Sequence, residues 1–443
     1  MSSTSDLEGP SSVTVGALFG ELPLTRAHLK CCVALFVAYV VEAWEMMIIV
    51  YASPAITREY PMTPAEVGSM IGAMFVGMLF GSLGWGILAD RIGRKKSVVW
   101  SLAGYAVISF ASAFAPGWMS LYFLRLLSGV AAAGMLVATF PLFEELLPVK
   151  YRGRYTVYLA SGWPIGMILA LAVTIAFDGL GWRWILGVSS LAGAWIWIVQ
   201  RWVAESPYWL AEMGRQTEAK AAIAHLSGGK ILLAPHLLLH HEAASHAGLF
   251  AIFKGRSLRV TLLQFAVNFC YAWGFWGLQS WMPTLLHRRG LDVPQSNSFI
   301  LFTACSMVPG YLAAANLTGR YGRKRVVVAF VGISACAGLG FAFAGSLASL
   351  YLCTFLLSFF SLGGWGVWDT WLAELYPTTN RTAGYGFGVF AQRVSNTIAP
   401  SVTGLFIARS TSFGLTVEFI DVFLIATVLL VLLLPETEGQ VLT

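Results

Sequence analysis

The sequence predicts an all-α membrane protein in which twelve transmembrane helices form two pseudo-symmetric six-helix halves. Three observations predict this fold: an apolar composition, twelve apolar segments of membrane-spanning length, and an internal repeat. Of the 443 residues, 57% are hydrophobic and 11% are charged, and the mean hydropathy is +0.71. A soluble domain carries about 25% charged residues, so this composition excludes a soluble protein.

The predicted spans follow from length and hydropathy, because a transmembrane helix needs about 20 mostly apolar residues. The segments that qualify are 30–53, 67–89, 98–115, 118–142, 155–177, 183–203, 259–285, 297–317, 326–345, 347–373, 383–408 and 413–434. We therefore divide the chain into an N-terminal tail (1–29), an N-terminal half (30–203), a hydrophilic central loop (204–258), a C-terminal half (259–434) and a C-terminal tail (435–443).

The distribution of basic residues predicts the orientation. If the N-terminus is cytoplasmic, 21 of the 28 lysines and arginines fall on the cytoplasmic side, as the positive-inside rule requires. We expect an inner (plasma) membrane protein with both termini in the cytoplasm. The net charge of +6 is explained by this bias and does not indicate nucleic-acid binding. Residues 1–25 are rich in Ser, Thr and acidic side chains and predict a disordered cytoplasmic tail without a signal peptide.

The two halves repeat each other at one constant offset. The loop residue Arg91 of the first half recurs as Arg320 in the second. At the same offset, Glu145-x-x-Pro148-x-x-x-Arg152 matches Glu374-x-x-Pro377-x-x-x-Arg381, and Ala43-Trp44 matches Ala272-Trp273. Three matches at one offset indicate an internal duplication. Duplicated membrane proteins of this kind place their site where the halves meet.

Several motifs carry a family resemblance over almost the whole chain. They are Gly84-x-x-x-x-x-Asp90-Arg91-x-Gly93-Arg94-Lys95, Arg125-x-x-x-Gly129, Glu205-Ser206-Pro207 and Pro435-Glu436-Thr437. Together they resemble the major facilitator superfamily. Within it the chain is most similar to the branch of bacterial niacin transporters, synaptic-vesicle-type proteins and aromatic-acid/proton symporters. Glu42-Ala43-Trp44-Glu45 has the acid spacing of those symporters, with Glu in place of Asp. The chain departs from the pattern of sugar porters in three places: Gly319 replaces an acidic loop residue, Tyr208 replaces an arginine, and the seventh predicted span (259–285) lacks the glutamine-rich pattern.

The resemblance implies a secondary active transporter that works by alternating access, as a monomer in a lipid bilayer, without a cofactor. No phosphate-binding loop or nucleophile–base pattern is present in the sequence, so we expect neither ATP-driven transport nor an enzyme. His236 and His240, four residues apart in the central loop, have a spacing that could hold a metal, but a solvated loop explains them more simply, and no metal site is expected.

Glu42 and Glu45 are the candidates for proton coupling. They lie three residues apart, so both point to one side of the first predicted helix. A carboxylate at membrane depth is costly and normally faces a cavity or a partner, and its protonation neutralises the site. Arg125, in the fourth span, is the expected partner of one of them. The alternative is that both acids form ion pairs or lie at the membrane surface.

The C-terminal half supplies most of the predicted substrate site. Arg393 suits a substrate carboxylate, because its planar guanidinium can donate two parallel hydrogen bonds. A purely structural role for Arg393 remains as an alternative. The other candidates for substrate contact are polar or aromatic side chains in predicted spans, namely Trp163, Tyr271, Gln279, Trp368, Gln392 and Asn396. Aromatic rings in such a cavity would suit a flat or cationic solute.

Charged residues near the cytoplasmic ends of the spans predict a gate of ion pairs that stabilises the inward-closed state. They are Asp90, Arg91, Arg94, Glu145 and Arg152 in the first half and Arg320, Arg323, Glu374 and Arg381 in the second. Asp369 is assigned to this gate with Arg381, and Asp421 is given no role. The alternative for the basic residues is topology alone.

The preferred function is proton-coupled uptake of a small organic solute, a carboxylate such as nicotinate. The alternatives are a proton/organic-cation (drug) antiporter, a sugar-type porter, and a receptor that no longer transports. Gly162-Trp163-Pro164-Ile165-Gly166 weakly resembles the antiporter motif of the fifth helix. Glu42, Glu45 and the intact loop motifs argue against a receptor.

Overall fold

The computed structural model describes residues 12–240, 249–376, 381–409 and 412–437. Helices from the N-terminus to the central loop are α1 (Val15–Glu21), α2 (Arg26–Glu59), α3 (Pro64–Ile92), α4 (Arg94–Ser112), α5 (Trp118–Leu146), α6 (Arg152–Ala160), α7 (Gly162–Phe177), α8 (Trp182–Ser189), α9 (Ile196–Trp202), α10 (Pro207–Glu212) and α11 (Gln216–Leu226). The rest are α12 (Gly255–Gln279), α13 (Met282–Arg288), α14 (Val293–Tyr321), α15 (Arg323–Phe343), α16 (Leu347–Glu374), α17 (Arg381–Arg409) and α18 (Phe413–Val431). Two short strands, β1 (Ser12–Thr14) and β2 (Leu238–His240), pair in parallel.

Nine helical segments within the described residues are long and apolar enough to cross a membrane. They are Arg26–Glu59, Pro64–Ile92, Trp118–Leu146, Val149–Leu180, Trp182–Trp202, Val293–Tyr321, Arg323–Phe343, Leu347–Leu372 and Phe413–Val431. Three more helices, α4, α12 and α17, have 19, 25 and 29 residues and complete the twelve that the sequence predicts. Their lower hydropathy has a physical reason. Helix α4 begins with three basic residues, α12 carries the amides Gln264 and Asn268, and α17 carries Gln392, Arg393 and Asn396.

The two halves pack in the same pattern. In the N-terminal half α5 lies against α3 and α4, and α7 lies against α2. In the C-terminal half α16 lies against α14 and α15, and α17 lies against α12. These are equivalent helices of the predicted repeat. Between the halves, α3 packs on α17 and α7 packs on α14. The internal repeat is therefore also a repeat of structure.

One end of the bundle, here called the basic end, carries the loops that join α3 to α4 and α14 to α15. At the opposite end, the two halves are in direct backbone contact. A Cβ atom on Gly68 of α3 would clash with the carbonyl oxygen of Pro400 on α17, and one on Gly404 would clash with that of Pro64. Trp281 Nε1 donates to Pro400 O at 2.9 Å. Only glycine permits so close an approach, so these positions seal the opposite end.

The N-terminal segment differs from the prediction of disorder. From residue 12 onward it forms β1 and α1, and the side chains of Val15 and Phe19 are completely buried. The Phe19 ring lies 5.5 Å from the ring of Tyr208 on α10. The physical reason is a helical apolar pattern, Val15, Leu18, Phe19 and Leu22, which packs on the central loop. Residues 1–11 and 438–443 of the predicted tails lie outside the described residues.

Candidate functional site

A buried ion pair lies inside the N-terminal half. Arg125 Nη1 on α5 donates to Glu45 Oε1 on α2 at 2.5 Å, and both side chains are completely buried. Ser128, one helical turn after Arg125, donates to the same carboxylate oxygen at 2.5 Å. Arg125 Nη2 donates to Ser112 Oγ on α4 at 3.0 Å. The pair therefore connects three helices of one half, and its two charges cancel locally.

Glu42 lies one turn before Glu45 on α2 and is in a different environment. Only 1% of its surface is exposed, and its Oε2 atom has no hydrogen-bond partner among the described residues. The positive charge that acts on it comes from Arg393 of the other half. Glu42 thus interacts with a charge of the other half, whereas the counter-charge of Glu45 lies within its own half.

Arg393 extends from α17 towards the N-terminal half. Its Nη1 atom lies 3.6 Å from Met78 Sδ on α3, and the residue is 9% exposed. Within the described residues no carboxylate oxygen lies within 4.0 Å of its guanidinium. Glu42 and Asp369 are the carboxylates whose charges act on it from further away. Buried cations normally have a close anionic partner, so this guanidinium has free capacity to bind an anion.

A network of amides lies beside Arg393. Asn268 Oδ1 on α12 accepts hydrogen bonds from Trp368 Nε1 at 2.9 Å and from Gln392 Nε2 at 2.7 Å. Asn268 Nδ2 donates to Gln264 Oε1 at 2.8 Å. Trp368 is completely buried, and its N–H donates to Asn268, so it holds the Asn268 side chain in place from the protein interior. The sequence analysis did not select Gln264 and Asn268, although two amides four residues apart in an apolar helix are a signal that could have identified them.

Asp369 is the clearest difference from the expected site. The sequence analysis assigned it to the gate with Arg381, whose side chain lies outside the described part of the chain. Instead, Gln392 Nε2 lies 3.4 Å from Asp369 Oδ1, and Asp369 contributes to the charge around Arg393. Asp369 follows Trp365 by four residues, so both lie on one face of α16. That periodicity could have placed it at the centre.

Aromatic side chains of both halves meet at Trp276 of α12. Its ring centroid lies 4.6 Å from that of Phe75 on α3 and 5.7 Å from that of Trp163 on α7. With the Asn396 amide oriented to satisfy both neighbours, its oxygen accepts from Trp276 Nε1 at 3.2 Å and its nitrogen donates to Gln392 O at 3.0 Å. Trp163 and Asn396 are thus brought together through Trp276, which was not among the predicted site residues.

Two other predicted residues are deeper in the protein. Tyr271 is completely buried, and its hydroxyl donates to Ser361 O at 2.5 Å. Its ring lies 4.9 Å from that of Trp365, which it supports. Gln279 is 7% exposed, and its Nε2 atom lies 3.8 Å from Met167 Sδ on α7. Tyr271 is therefore behind the site, and Gln279 connects the two halves.

The predicted gate residues of the first half gather at the basic end. Arg94 Nη1 lies 3.3 Å from Asp90 Oδ1, and Arg94 Nε lies 3.6 Å from Glu145 Oε2. Arg152 Nη2 donates to the hydroxyl of Tyr208 at 2.7 Å. Arg91 is exposed. Asp90, Arg94 and Glu145 form one cluster, and Arg152 instead connects the bundle to the central loop.

The second half repeats this arrangement. Arg323 pairs with Glu374, and its Nη2 atom lies 2.6 Å from Glu374 Oε1. Arg320 is exposed and lies over the ring of Tyr321 at 5.5 Å. The ion pairs of Arg94 and of Arg323 each join helices of the same half. Whether they stabilise an inward-closed state stays a prediction.

The profile of the Major Facilitator Superfamily matches residues 35–347 and 301–442. The chain belongs to the major facilitator superfamily. It is 29% identical over 426 residues to the niacin transporter NiaP of Acinetobacter baylyi, covering 95% of this chain and 97% of that protein. It is 28% identical over 431 residues to the inner membrane metabolite transport protein YgcS of Escherichia coli, covering 95% and 94% of the two chains.

Among solved structures, the fold is similar to the partially occluded inward-open conformation of the xylose transporter XylE from E. coli. The TM-score is 0.76 at 15% identity, and the match covers 94% of this chain and all of that one. The predicted family and the predicted fold class are both confirmed. The relatives are membrane transporters and not enzymes, so this major facilitator protein is a multi-pass transporter of a small molecule.

In this major facilitator fold, the central residues fall into two groups. Glu45, Arg125 and Ser128 form a closed unit inside one half. Glu42 and Arg393 come from opposite halves and are within range of each other's charge, as are Arg393 and Asp369. A motion of one half against the other would rearrange the second group, because its members come from both halves.

Proposed function

We propose that this transporter couples proton entry to the uptake of a small organic carboxylate of the nicotinate type, with the basic end and both termini in the cytoplasm. The observation that carries the proposal is Arg393. It is a buried guanidinium at the interface of the halves with no carboxylate within 4.0 Å in the described part of the chain. A substrate carboxylate would provide the missing close partner, and two parallel hydrogen bonds would orient it.

Proton coupling rests on the difference between Glu42 and Glu45. Glu45 accepts hydrogen bonds from Arg125 and Ser128, so the pair keeps the Arg125 charge compensated throughout the cycle. Glu42 has no such partner and faces Arg393. A proton on Glu42 removes one negative charge that competes for Arg393, and the substrate carboxylate takes its place. Proton and substrate then load together, as a symporter requires.

The aromatic rings around the site favour a flat ligand. Trp276 and Trp163 come from opposite halves, and their centroids lie 5.7 Å apart. A planar substrate next to these rings would contact both halves at once. The name of the Acinetobacter baylyi relative supports a substrate of this kind.

The proposed orientation assigns a direction to this state. The close backbone contacts at Gly68 and Gly404 lie at the end opposite the basic loops, which is extracellular under the proposed orientation. This state would therefore face inward, and outward opening would require those contacts to separate.

Binding to purified protein tests the proposal. Nicotinate should bind at least about tenfold more weakly to Arg393→Lys than to the wild type, because the ammonium group lacks the planar fork. Nicotinamide, which has no carboxylate, should bind weakly to both. Arg183→Lys is the matched control, since Arg183 pairs with Glu59 at the opposite end and should leave nicotinate affinity unchanged. If 1-methylnicotinamide, a cation of similar size that is methylated on the ring nitrogen, binds best and Arg393→Lys does not affect it, the organic-cation antiporter takes the place of this proposal.

A further inference from the structure

Asp369 changes the charge balance of the centre. The buried and partly buried carboxylates there are Glu42, Glu45 and Asp369, and the cations are Arg125 and Arg393. The charges of Glu45 and Arg125 neutralise each other, because the two side chains are paired at 2.5 Å. The charges of two acids from opposite halves, Glu42 and Asp369, therefore act on one arginine, Arg393, from beyond 4.0 Å. With both acids ionised, this part of the site has one excess negative charge.

One proton per cycle brings this part of the site to neutrality. If Glu42 takes the proton, as the proposed function requires, Arg393 and Asp369 remain as one positive and one negative group. A ligand with only a carboxylate would then leave Asp369 uncompensated in a desolvated cavity, which is costly. A ligand of zero net charge with two separated charges would compensate both groups.

The surroundings of Asp369 suit a cation. Trp365 precedes it by one helical turn on the same face of α16, and both residues are partly exposed. The Trp365 ring is fixed by Tyr271 at 4.9 Å and by Phe275 at 5.9 Å between centroids. The indole N–H of Trp365 interacts with the Asp369 carboxylate, so the ring edge and the acid lie next to each other. A carboxylate and an aromatic ring side by side are a combination that recognises alkylated or protonated nitrogen. Gln392 Nε2 lies 3.4 Å from Asp369 Oδ1, and Asn268 in turn holds Gln392, so the acid has a defined position.

We propose that the substrate is a small zwitterion, whose carboxylate binds Arg393 and whose cationic nitrogen binds Asp369 next to the Trp365 ring. The inference rests on the proposed function, because it uses the same Arg393 site and the same single proton. It goes further by assigning Asp369 as the residue that selects zwitterions over simple anions. Sequence reasoning gave this residue to the gate, and its place beside Gln392 is what changes the assignment.

Four probes of similar size separate the two charges: nicotinate (anion), N-methylnicotinate, methylated on the ring nitrogen (zwitterion), nicotinamide (neutral) and 1-methylnicotinamide, also methylated on the ring nitrogen (cation). At neutral pH the ring nitrogen of nicotinate is uncharged, so the first two probes differ only by the methyl group and its positive charge. We expect wild-type protein in lipid nanodiscs to bind N-methylnicotinate about tenfold more tightly than nicotinate in a calorimetric titration.

In Asp369→Asn this preference should disappear, with nicotinate bound as well as or better than in the wild type. Asp369→Glu keeps the charge and should keep the preference, which separates a charge effect from a folding defect. Asp421→Asn is the matched control, because Asp421 is a buried acid of the same half that packs against Gly338 on α15 and should not change the ranking. A wild-type preference for nicotinate, or an equal loss of both ligands in Asp369→Asn, overturns the inference.

The proposed function fails in a different way. If Arg393→Lys leaves both carboxylates bound as before, carboxylate recognition by Arg393 is wrong. If Arg393→Lys weakens both ligands while Asp369→Asn leaves their ratio unchanged, only the zwitterion inference is wrong.

Discussion

The two halves of the transporter are alike at the basic end and different at the centre. Arg94 and Glu145 pair in the first half, and Arg323 and Glu374, which occupy the equivalent positions of the repeat, pair in the second. The glycine before each arginine has a positive φ, +103° at Gly93 and +86° at Gly322. A left-handed turn, a following arginine and a distant glutamate are therefore retained in both copies.

The centre has lost this symmetry. At the offset of the repeat, Glu42 corresponds to Tyr271, Glu45 to Gly274 and Arg125 to Thr354. Conversely, Asp369 of the second half corresponds to Phe140 of the first. The buried ion pair belongs to one half alone, and the acid beside Arg393 belongs to the other. Symmetric contacts in this molecule support the fold, whereas the asymmetric ones are those that a proton and a substrate would use.

The largest effect is expected where the halves differ most. Glu45→Gln leaves Arg125 buried without its counter-charge, and we expect a loss of about 3–5 kcal/mol in stability. Thermal unfolding of the purified protein measures this loss. The double variant Glu45→Gln/Arg125→Gln should be more stable than Glu45→Gln alone, because no unpaired charge remains.

The repeat supplies the matched control for that experiment. Thr354 occupies the position of Arg125, is 2% exposed and has no hydrogen-bond partner for its hydroxyl among the described residues. Thr354→Val should change stability by less than about 1 kcal/mol, since it removes an unsatisfied polar atom. A similar loss from Thr354→Val and Glu45→Gln would mean that the two halves are equally sensitive at this depth and would contradict the comparison.

A smaller and symmetric effect is expected at the basic end. Arg94→Ala removes the contacts of Arg94 with Asp90 and Glu145, and Arg323→Ala removes the pair with Glu374; both arginines are only partly exposed. Each substitution should cost about 1 kcal/mol and change the transport rate by a similar factor. Unfolding temperatures and initial uptake rates of the two variants give the comparison. A severe defect in one half only would show that the equivalent pairs have different roles.

Much of the fold was accessible from sequence, because hydropathy, length and a repeat at one offset are strong signals in a membrane protein. The structure also brings Arg125 to Glu45 and Arg94 to Glu145, contacts that the sequence suggested, whereas the roles of these residues stay predictions. Those residues lie in motifs or at helical spacings that the chain itself displays.

The parts that sequence reasoning missed depend on how helices rotate against one another. Asp369 lies near a helix end, which suggested the gate, and only the packing of α16 on α17 places it beside Gln392. Asn268 and Trp276 depend likewise on the orientation of α12. The N-terminal helix was missed for another reason: its apolar pattern is only about two turns long, and it is stable because Phe19 packs on Tyr208.

Labelling of single introduced cysteines tests whether equivalent loops of the two halves lie on the same side of the membrane. It is expected to perturb the protein least. Gly117 and Ser346 are equivalent positions of the repeat and precede equivalent helices, α5 and α16. In a variant without the native cysteines, a thiol at either position should react with an impermeant reagent added outside intact cells. Thiols at Gly153 or Ser227 should react only after the cells are permeabilised. Labelling of Gly117 and Ser346 from different sides would contradict the six-plus-six repeat.

Proton-driven uptake is the most direct test of the account. Purified protein in liposomes should accumulate labelled nicotinate or N-methylnicotinate when the outside is more acidic than the lumen. Glu42→Gln should abolish this accumulation but retain counterflow exchange, because exchange requires no net proton movement. Arg183→Lys should behave like the wild type. If Glu42→Gln still accumulates substrate fully under the pH gradient, Glu42 does not carry the proton and the account is wrong. Full accumulation by Glu45→Gln and by the double variant as well would exclude both carboxylates.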